Sequence, residues 1–203
     1  HREQDYFVTV QNCGVTLDEN GRKVLVTEDI RNGNGRTIKS RYSTPNRVDK
    51  IKEPIQSIFW IMKDDALPPL VKITDPRLAS ILGCTLMTKR STAENTGAGA
   101  NLDALVIEPY ANPFRVYPLV EDYEKFKALF DKGVDCYIIN TGDYLGKKVT
   151  KEVSLGVIET VVDGKATFEL FGGLPGMEYL PVEGYEVPDM NGEYAELIRD
   201  RMQ

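Results

Sequence analysis

The sequence predicts an α/β fold, a mixed β-sheet flanked by helices, and three observations carry that expectation. Short alternating runs such as Tyr6–Val10 and Lys23–Thr27 have the period of two that half-buried strands require. Two continuous apolar runs, Ile58–Met62 and Cys136–Asn140, are too short for buried helices and read as buried strands. Three stretches between and after them place apolar residues on one helical face, at 76–87, 121–132 and 151–163. The expected organisation is a single α/β domain over 1–203, with 1–62 mainly β and 63–203 α/β ending in an extended tail.

In chain order, the turn signals Glu19-Asn20-Gly21 and Asn32-Gly33-Asn34-Gly35 punctuate the β section. Ile58–Met62 reads as a central strand because both of its faces are apolar. Pro68 and Pro69 can continue neither a helix nor a central strand, so Asp64 to Thr74 is expected to be a loop. Asp75-Pro76 has the form of an N-cap followed by proline in the first turn, and starts a helix to about Met87 with Leu78, Ile81, Leu82 and Leu86 on its inner face.

Thr88 to Asn101 lacks periodicity and reads as a long loop. Glu121–Lys132 is an amphipathic helix turning Tyr123, Phe126, Leu129 and Phe130 inward, and a strand over Cys136–Asn140 follows it. Lys151–Asp163 is a further helix, with Val153, Val157, Ile158 and Val161 inside. Gly and Pro dominate Phe168–Asp189, which is expected to wrap the surface before a closing helix at Gly192–Met202.

Composition removes several classes of function. A net charge of -6 without a cluster of Lys and Arg argues against nucleic acid. No apolar run reaches the roughly 20 residues of a membrane span. Cys13, Cys84 and Cys136 form no close pair of the kind that zinc sites or redox motifs use, and read as reduced core thiols in a cytoplasmic protein. His1 is the only histidine, which excludes a Ser-His-Asp or Cys-His system within this chain.

Four features could carry chemistry. The strand at Cys136–Asn140, the loop Thr141–Lys148 and the following helix stand in the order that nucleotide sites use, with Gly142 and Gly146 permitting close approach and Lys147 and Lys148 supplying charge. Three residues separate these glycines instead of four, and Lys148 stands where a phosphate loop has a hydroxyl, so a plain strand-to-helix turn is the competing reading.

Asp64-Asp65 lies at a strand end where metals can be held, but neighbours on an extended chain point apart, which favours a solvated strand end. Arg36, Arg41 and Arg47 could each grip phosphate or form surface ion pairs. Tyr110, Phe114 and Tyr117 offer flat apolar surface for a base, or else belong to the core.

From about Arg41 to Asp189 these segments resemble, in order, the C-terminal nucleotide-binding region of ATP-type phosphoenolpyruvate carboxykinases. Arg41-Tyr42-Ser43-Thr44-Pro45 is similar to the family's Asn-Thr-Arg-Val-Ser-Tyr-Pro, and Ala66 to Thr74 to its Val-Leu-Pro-Pro-Val-Ser-Arg-Leu-Thr. Thr88 to Glu94 is similar to Gly-Thr-Glu-Arg-Gly-Ile-Thr-Glu. Tyr137 to Gly142 is similar to Tyr-Leu-Val-Asn-Thr-Gly, and Gly146 to Val149 to Gly-Lys-Arg-Ile. The chain departs from the family after Glu94, where an insertion precedes Asn112-Pro113-Phe114-Arg115, and at Asp143-Tyr144-Leu145, which replaces a Trp and a Gly-rich linker.

The resemblance implies that Arg41 contacts the transferred phosphoryl group, that Arg90 and Thr92 meet base and ribose, and that Asn140, Thr141, Gly142 and Lys147 wall the nucleotide pocket. It implies ATP as the nucleotide and a divalent metal only in the intact protein. The family's phosphate loop, metal ligands and oxaloacetate-binding arginine would precede residue 1, so the chain reads as a C-terminal fragment whose partners are a nucleotide and the missing N-terminal part. Alone it is expected to be inactive, because phosphoryl transfer needs metal and lysine stabilisation of spread charge. The intact protein would decarboxylate and phosphorylate oxaloacetate. A non-catalytic carboxykinase-fold scaffold and a small-molecule kinase or phosphatase are the alternatives.

Overall fold

The computed structural model describes residues 8–11, 14–26, 36–39, 50–89, 101, 103–112, 115 and 117–202. The chain divides into two compact units, residues 1–54 with 90–102, and residues 55–89 with 103–203.

The first unit contains β1 (Val8–Gln11), β2 (Gly14–Leu17), β3 (Lys23–Val26) and β4 (Arg36–Lys39). β1 pairs antiparallel with β4, and β2 with β3. The expected turn at 19–21 forms because the Asp18 carboxylate accepts from the Asn20 and Arg22 N–H groups, both at 2.9 Å, while Gly21 takes φ 73°, which glycine adopts without strain.

The second unit contains β5 (Ser57–Met62), β6 (Leu70–Ile73), α1 (Pro76–Cys84), β7 (Met87–Lys89) and β8 (Leu105–Ile107). A 3₁₀ turn at Pro109–Ala111 leads to α2 (Leu119–Phe130), β9 (Asp135–Asn140), β10 (Asp143–Tyr144) and β11 (Lys147–Lys148). Then come α3 (Lys151–Val162), β12 (Glu169–Leu170), β13 (Met177–Tyr179) and α4 (Gly192–Met202). The main sheet has the order β12-β13-β6-β9-β5, and only β5 and β9 are parallel in it. The unit is thus α/β, a mixed sheet with helices, as the two buried runs and the amphipathic stretches predict.

Four expectations are corrected. The expected loop Asp64–Thr74 ends at Pro69, and the next four residues are β6, the middle strand, with Leu70 and Val71 fully buried. Proline excludes a central strand only where it stands within the ladder, and both prolines stand before it. Ile58–Met62 is an edge strand among the described residues, with Ile61 61% exposed. The Gly- and Pro-rich tail does not simply wrap the surface, since β12 and β13 extend the sheet and bury Phe171 and Met177. The expected long loop from Thr88 likewise begins inside β7, which pairs with β8.

Alternate residues of β9 sort the core into two layers. Cys136 and Ile138 join Trp60, Ala79 of α1, Phe130 of α2 and Ile198 of α4, while Tyr137 and Ile139 pack with Leu70, Leu180 and Val157 of α3. Each fully buried side chain of this size contributes about 1.5–3 kcal/mol. The helices start where their caps predict: Asp75 accepts from the Leu78 N–H at 2.7 Å, and Thr150 from the Val153 N–H at 3.3 Å. Among the described residues no helix is long and apolar enough to cross a membrane.

Candidate functional site

β5 and β9 run parallel and end level, with Met62 opposite Asn140. Ligands of open α/β sheets collect at such carboxyl ends, so the two exits, residues 63–69 and 141–149, define the candidate site.

Asn140 organises both exits. Its side chain is fully buried. Its Nδ2 lies 2.7, 2.6 and 2.9 Å from the carbonyl oxygens of Asp64, Leu67 and Asp143, and its Oδ1 accepts from the N–H groups of Gly142 at 2.9 Å and Asp64 at 3.3 Å. An amide has two donor hydrogens and two acceptor lone pairs, so this side chain has nothing left for a ligand. Asn140, expected to wall a nucleotide pocket, fastens one exit loop to the other.

Gly142 is required by the same closure. A Cβ there would lie 2.8 Å from Lys63 Cβ, so the glycine admits the close approach of Lys63. Thr141 is also turned to β5, its N–H and hydroxyl both donating to the Met62 carbonyl, at 2.8 and 3.3 Å. The loop beyond is a hairpin of β10 and β11 whose two turn residues, Leu145 at φ 49° and Gly146 at φ 77°, are both left-handed, the conformation of a tight type I′ connection. Its N–H groups are directed inward: Leu145 donates to the Asp65 carbonyl at 3.0 Å and Val149 to that of Gly142 at 2.9 Å. The N–H groups of Gly142, Leu145 and Val149 are therefore bonded within the chain, as in a plain strand-to-helix turn.

The acidic pair diverges, as extended backbone requires. Asp64 is 2% exposed and accepts the Arg201 Nε–H on both oxygens, at 3.2 and 3.0 Å, and the Ala66 N–H at 2.9 Å. It is therefore a buried ion-pair partner and not a solvated strand end. Asp65 turns outward to Lys89 Nζ at 2.7 Å. That hydrogen bond is the main reason the Lys89 ammonium titrates above the ordinary lysine value. Two tyrosines complete the wall: Tyr194 donates to the Ala66 carbonyl at 2.9 Å and meets the Tyr144 hydroxyl at 3.3 Å, and burial pushes both phenols up.

Of the cations here, Lys147 is bound to the Gly184 carbonyl at 2.6 Å, with its Nζ 4.6 Å from the Tyr185 ring centre. Lys148 reaches the Thr141 carbonyl at 3.2 Å. The site thus brings Asn140, Thr141 and Gly142 together as a loop fastening, with Lys147 beside it on a neighbouring turn. Arg41, Arg90 and Thr92 lie outside the described residues, as do Arg47, Phe114 and Cys13.

Tyr110 is core, stacked 4.2 Å from Phe126, which answers one of the two readings of the aromatics. Cys84 and Cys136 carry free thiols, and burial pushes the Cys136 thiol far up, so it is inert at neutral pH. Among the described residues no group of three or more His, Cys, Asp or Glu side chains is placed to hold a metal ion.

Sequence reasoning missed Arg201 and Tyr194. Their partners lie 137 and 128 residues away, and nothing local to α4 distinguishes an arginine that closes on a buried carboxylate from one that faces water. No family model matches the chain, and no curated protein matches it.

Proposed function

We propose that this chain is the nucleotide-binding part of a carboxykinase-like protein, in which ATP phosphorylates the enolate left when oxaloacetate loses carbon dioxide. The nucleotide would lie against the level ends of β5 and β9. The observation that supports this reading best is the parallel pair itself, with its exits fastened by Asn140 and with Lys63, Lys89 and Lys148 around it. The ordered resemblance from Arg41 to Asp189 supplies the chemistry; the geometry by itself supplies only a rigid, cation-bearing wall. In this reading lysine side chains, and not backbone N–H groups, face the phosphates, and Arg41, Arg90 and Thr92 keep the roles that the resemblance gives them. ATP and a cytoplasmic setting belong to the same proposal.

A second reading, a non-catalytic scaffold of the same fold, is favoured by one observation: the N–H groups of Gly142, Leu145 and Val149 are all spent within the chain. Backbone donors of this kind ordinarily supply much of the affinity for phosphate.

The two readings separate in an amide chemical-shift titration with ATP and with GTP, each with and without magnesium. The first expects millimolar affinity, shifts confined to 63–69, 87–89, 141–149 and the neighbourhoods of Arg41, Arg90 and Thr92, and weakening in Lys148→Glu. Shifts that are absent at millimolar nucleotide, or that fall elsewhere, overturn it in favour of the scaffold.

A further inference from the structure

Inside the second unit, under α4, lies a cavity of about 60 Å³ whose wall is mostly apolar, with Met62, Leu86, Ile138, Phe171 and Met177 among its lining residues. A site of this size accommodates several water molecules or a ligand of a few heavy atoms. Two of its lining residues are the paired Asp64 and Arg201, so its single charged wall is neutral as a whole.

That wall is unevenly satisfied. Both Asp64 oxygens already accept protein hydrogen bonds. Arg201 spends only Nε on Asp64, and among the described residues its two terminal nitrogens have no partner. A guanidinium carries five N–H donors and no acceptor. Thr85, also in the lining, donates its hydroxyl hydrogen to the Ile81 carbonyl at 3.1 Å and so brings no further donor of its own. The cavity therefore combines apolar surface with one lining residue, Arg201, that has donors to spare.

We propose that this cavity binds a small neutral molecule with an apolar body and one hydrogen-bond acceptor, a short ketone or amide in chemical class, and that Arg201 is the residue that reads the acceptor. Neutrality follows from Asp64, because an added carboxylate would leave an uncompensated negative charge among apolar side chains. The acceptor follows from Arg201, whose terminal N–H groups can donate and cannot accept. The small size follows from the volume. The site faces the core layer of Cys136 and Ile138 and shares Asp64 and Leu67 with the exit 63–69, but its reporters Leu86, Ile138, Met177 and Ile198 lie outside the segments that report nucleotide, so either assignment can fail without the other.

The test is an NMR titration of the whole chain with 2-butanone, with butyrate as the anionic counterpart and n-butane as the hydrocarbon lacking an acceptor. Binding of 2-butanone is expected to shift Leu86, Ile138, Met177 and Ile198, and to be about tenfold tighter than that of either counterpart, the factor that one hydrogen bond to a charged group supplies. Leu82→Phe, which fills the cavity from α1 while keeping an apolar residue, should abolish binding in a chain whose spectrum shows it folded. Arg201→Lys, which keeps the charge beside Asp64 and removes the planar fork, should erase the preference for the ketone over butane. Solvation of the cavity by water alone, equal binding of butyrate, or binding that survives Leu82→Phe would each overturn the proposal.

Discussion

At its first residue β9 is joined to β6 by an ion pair in partial contact with water; at its last it is joined to two exit loops by an uncharged amide wholly removed from water. Asp135 meets Lys72 Nζ at 3.1 Å, with the two side chains 46% and 24% exposed. Asn140, five residues on in the same strand, is fully buried and satisfied on every lone pair and hydrogen. The difference teaches where a polar group can specify structure. A solvated pair gains little over its hydrated state, whereas a buried amide makes every alternative loop arrangement leave carbonyls and N–H groups unpaired. The candidate site therefore sits at the end of the strand where geometry is enforced.

The largest effect should come from Asn140→Ala. It removes both donors from the carbonyls of Asp64, Leu67 and Asp143 and the acceptor from two N–H groups, in a place water does not reach. A loss of about 3–5 kcal/mol in urea unfolding is expected, at the upper end of what single substitutions do. Asn140→Asp should do no better, since its carboxylate would face carbonyl oxygens. A loss under about 1 kcal/mol would break the contrast, because it would put this network on the level of a surface pair.

Much of this end of the sheet was legible in the sequence, but as the wrong kind of object. Tyr137–Asn140 reads as a buried strand and Thr141–Lys148 as a tight Gly-containing connection to a helix, and both are so. What local pattern cannot show is whether a polar side chain at a strand end faces a ligand or a neighbouring loop. The answer for Asn140 is set by carbonyls 73 and 76 residues upstream. The position of β5 in the sheet was illegible for a related reason. An apolar run is compatible with burial on both faces, and only the pairing of β9 with β6 leaves β5 one partner among the described strands. β6 was hidden by its own prolines, which mark a boundary that the residues after them promptly cross.

An intermediate effect is expected from Gly142→Ala. The added methyl would approach Lys63 Cβ to 2.8 Å and its Cα to 3.1 Å, so the two exits must separate by several tenths of an ångström. Overpacking of this kind costs about 1–3 kcal/mol. It should also loosen the Asn140 hydrogen bond to the Gly142 N–H, and hydrogen exchange of that amide should accelerate by more than the global loss of stability explains. Gly146→Ala sharpens the point. Its site is open, and any loss there reports only the left-handed backbone at φ 77°.

The smallest effect belongs to the other end of the strand, in Lys72→Met. This change removes the bond to Asp135 and the cation lying 5.7 and 5.5 Å from the Tyr137 and Phe168 ring centres, but keeps an apolar stem across them. The expected loss is under about 1 kcal/mol and shrinks as salt is added. Its pH dependence has a definite sign. Burial, the largest single influence, works to lower the Lys72 value, but the Asp135 hydrogen bond and nearby negative groups outweigh it and hold the ammonium above 10.5. A cation whose folded value is raised contributes stability that is complete below the unfolded value and is lost as pH rises through the folded one. The gap between wild type and Lys72→Met should therefore be constant at neutral pH and close only in the alkaline range, above about 10.5. A gap that instead widened with alkali would mean that burial outweighs the Asp135 hydrogen bond and favours the neutral amine, and that the two ends of β9 are not as different as their exposure makes them.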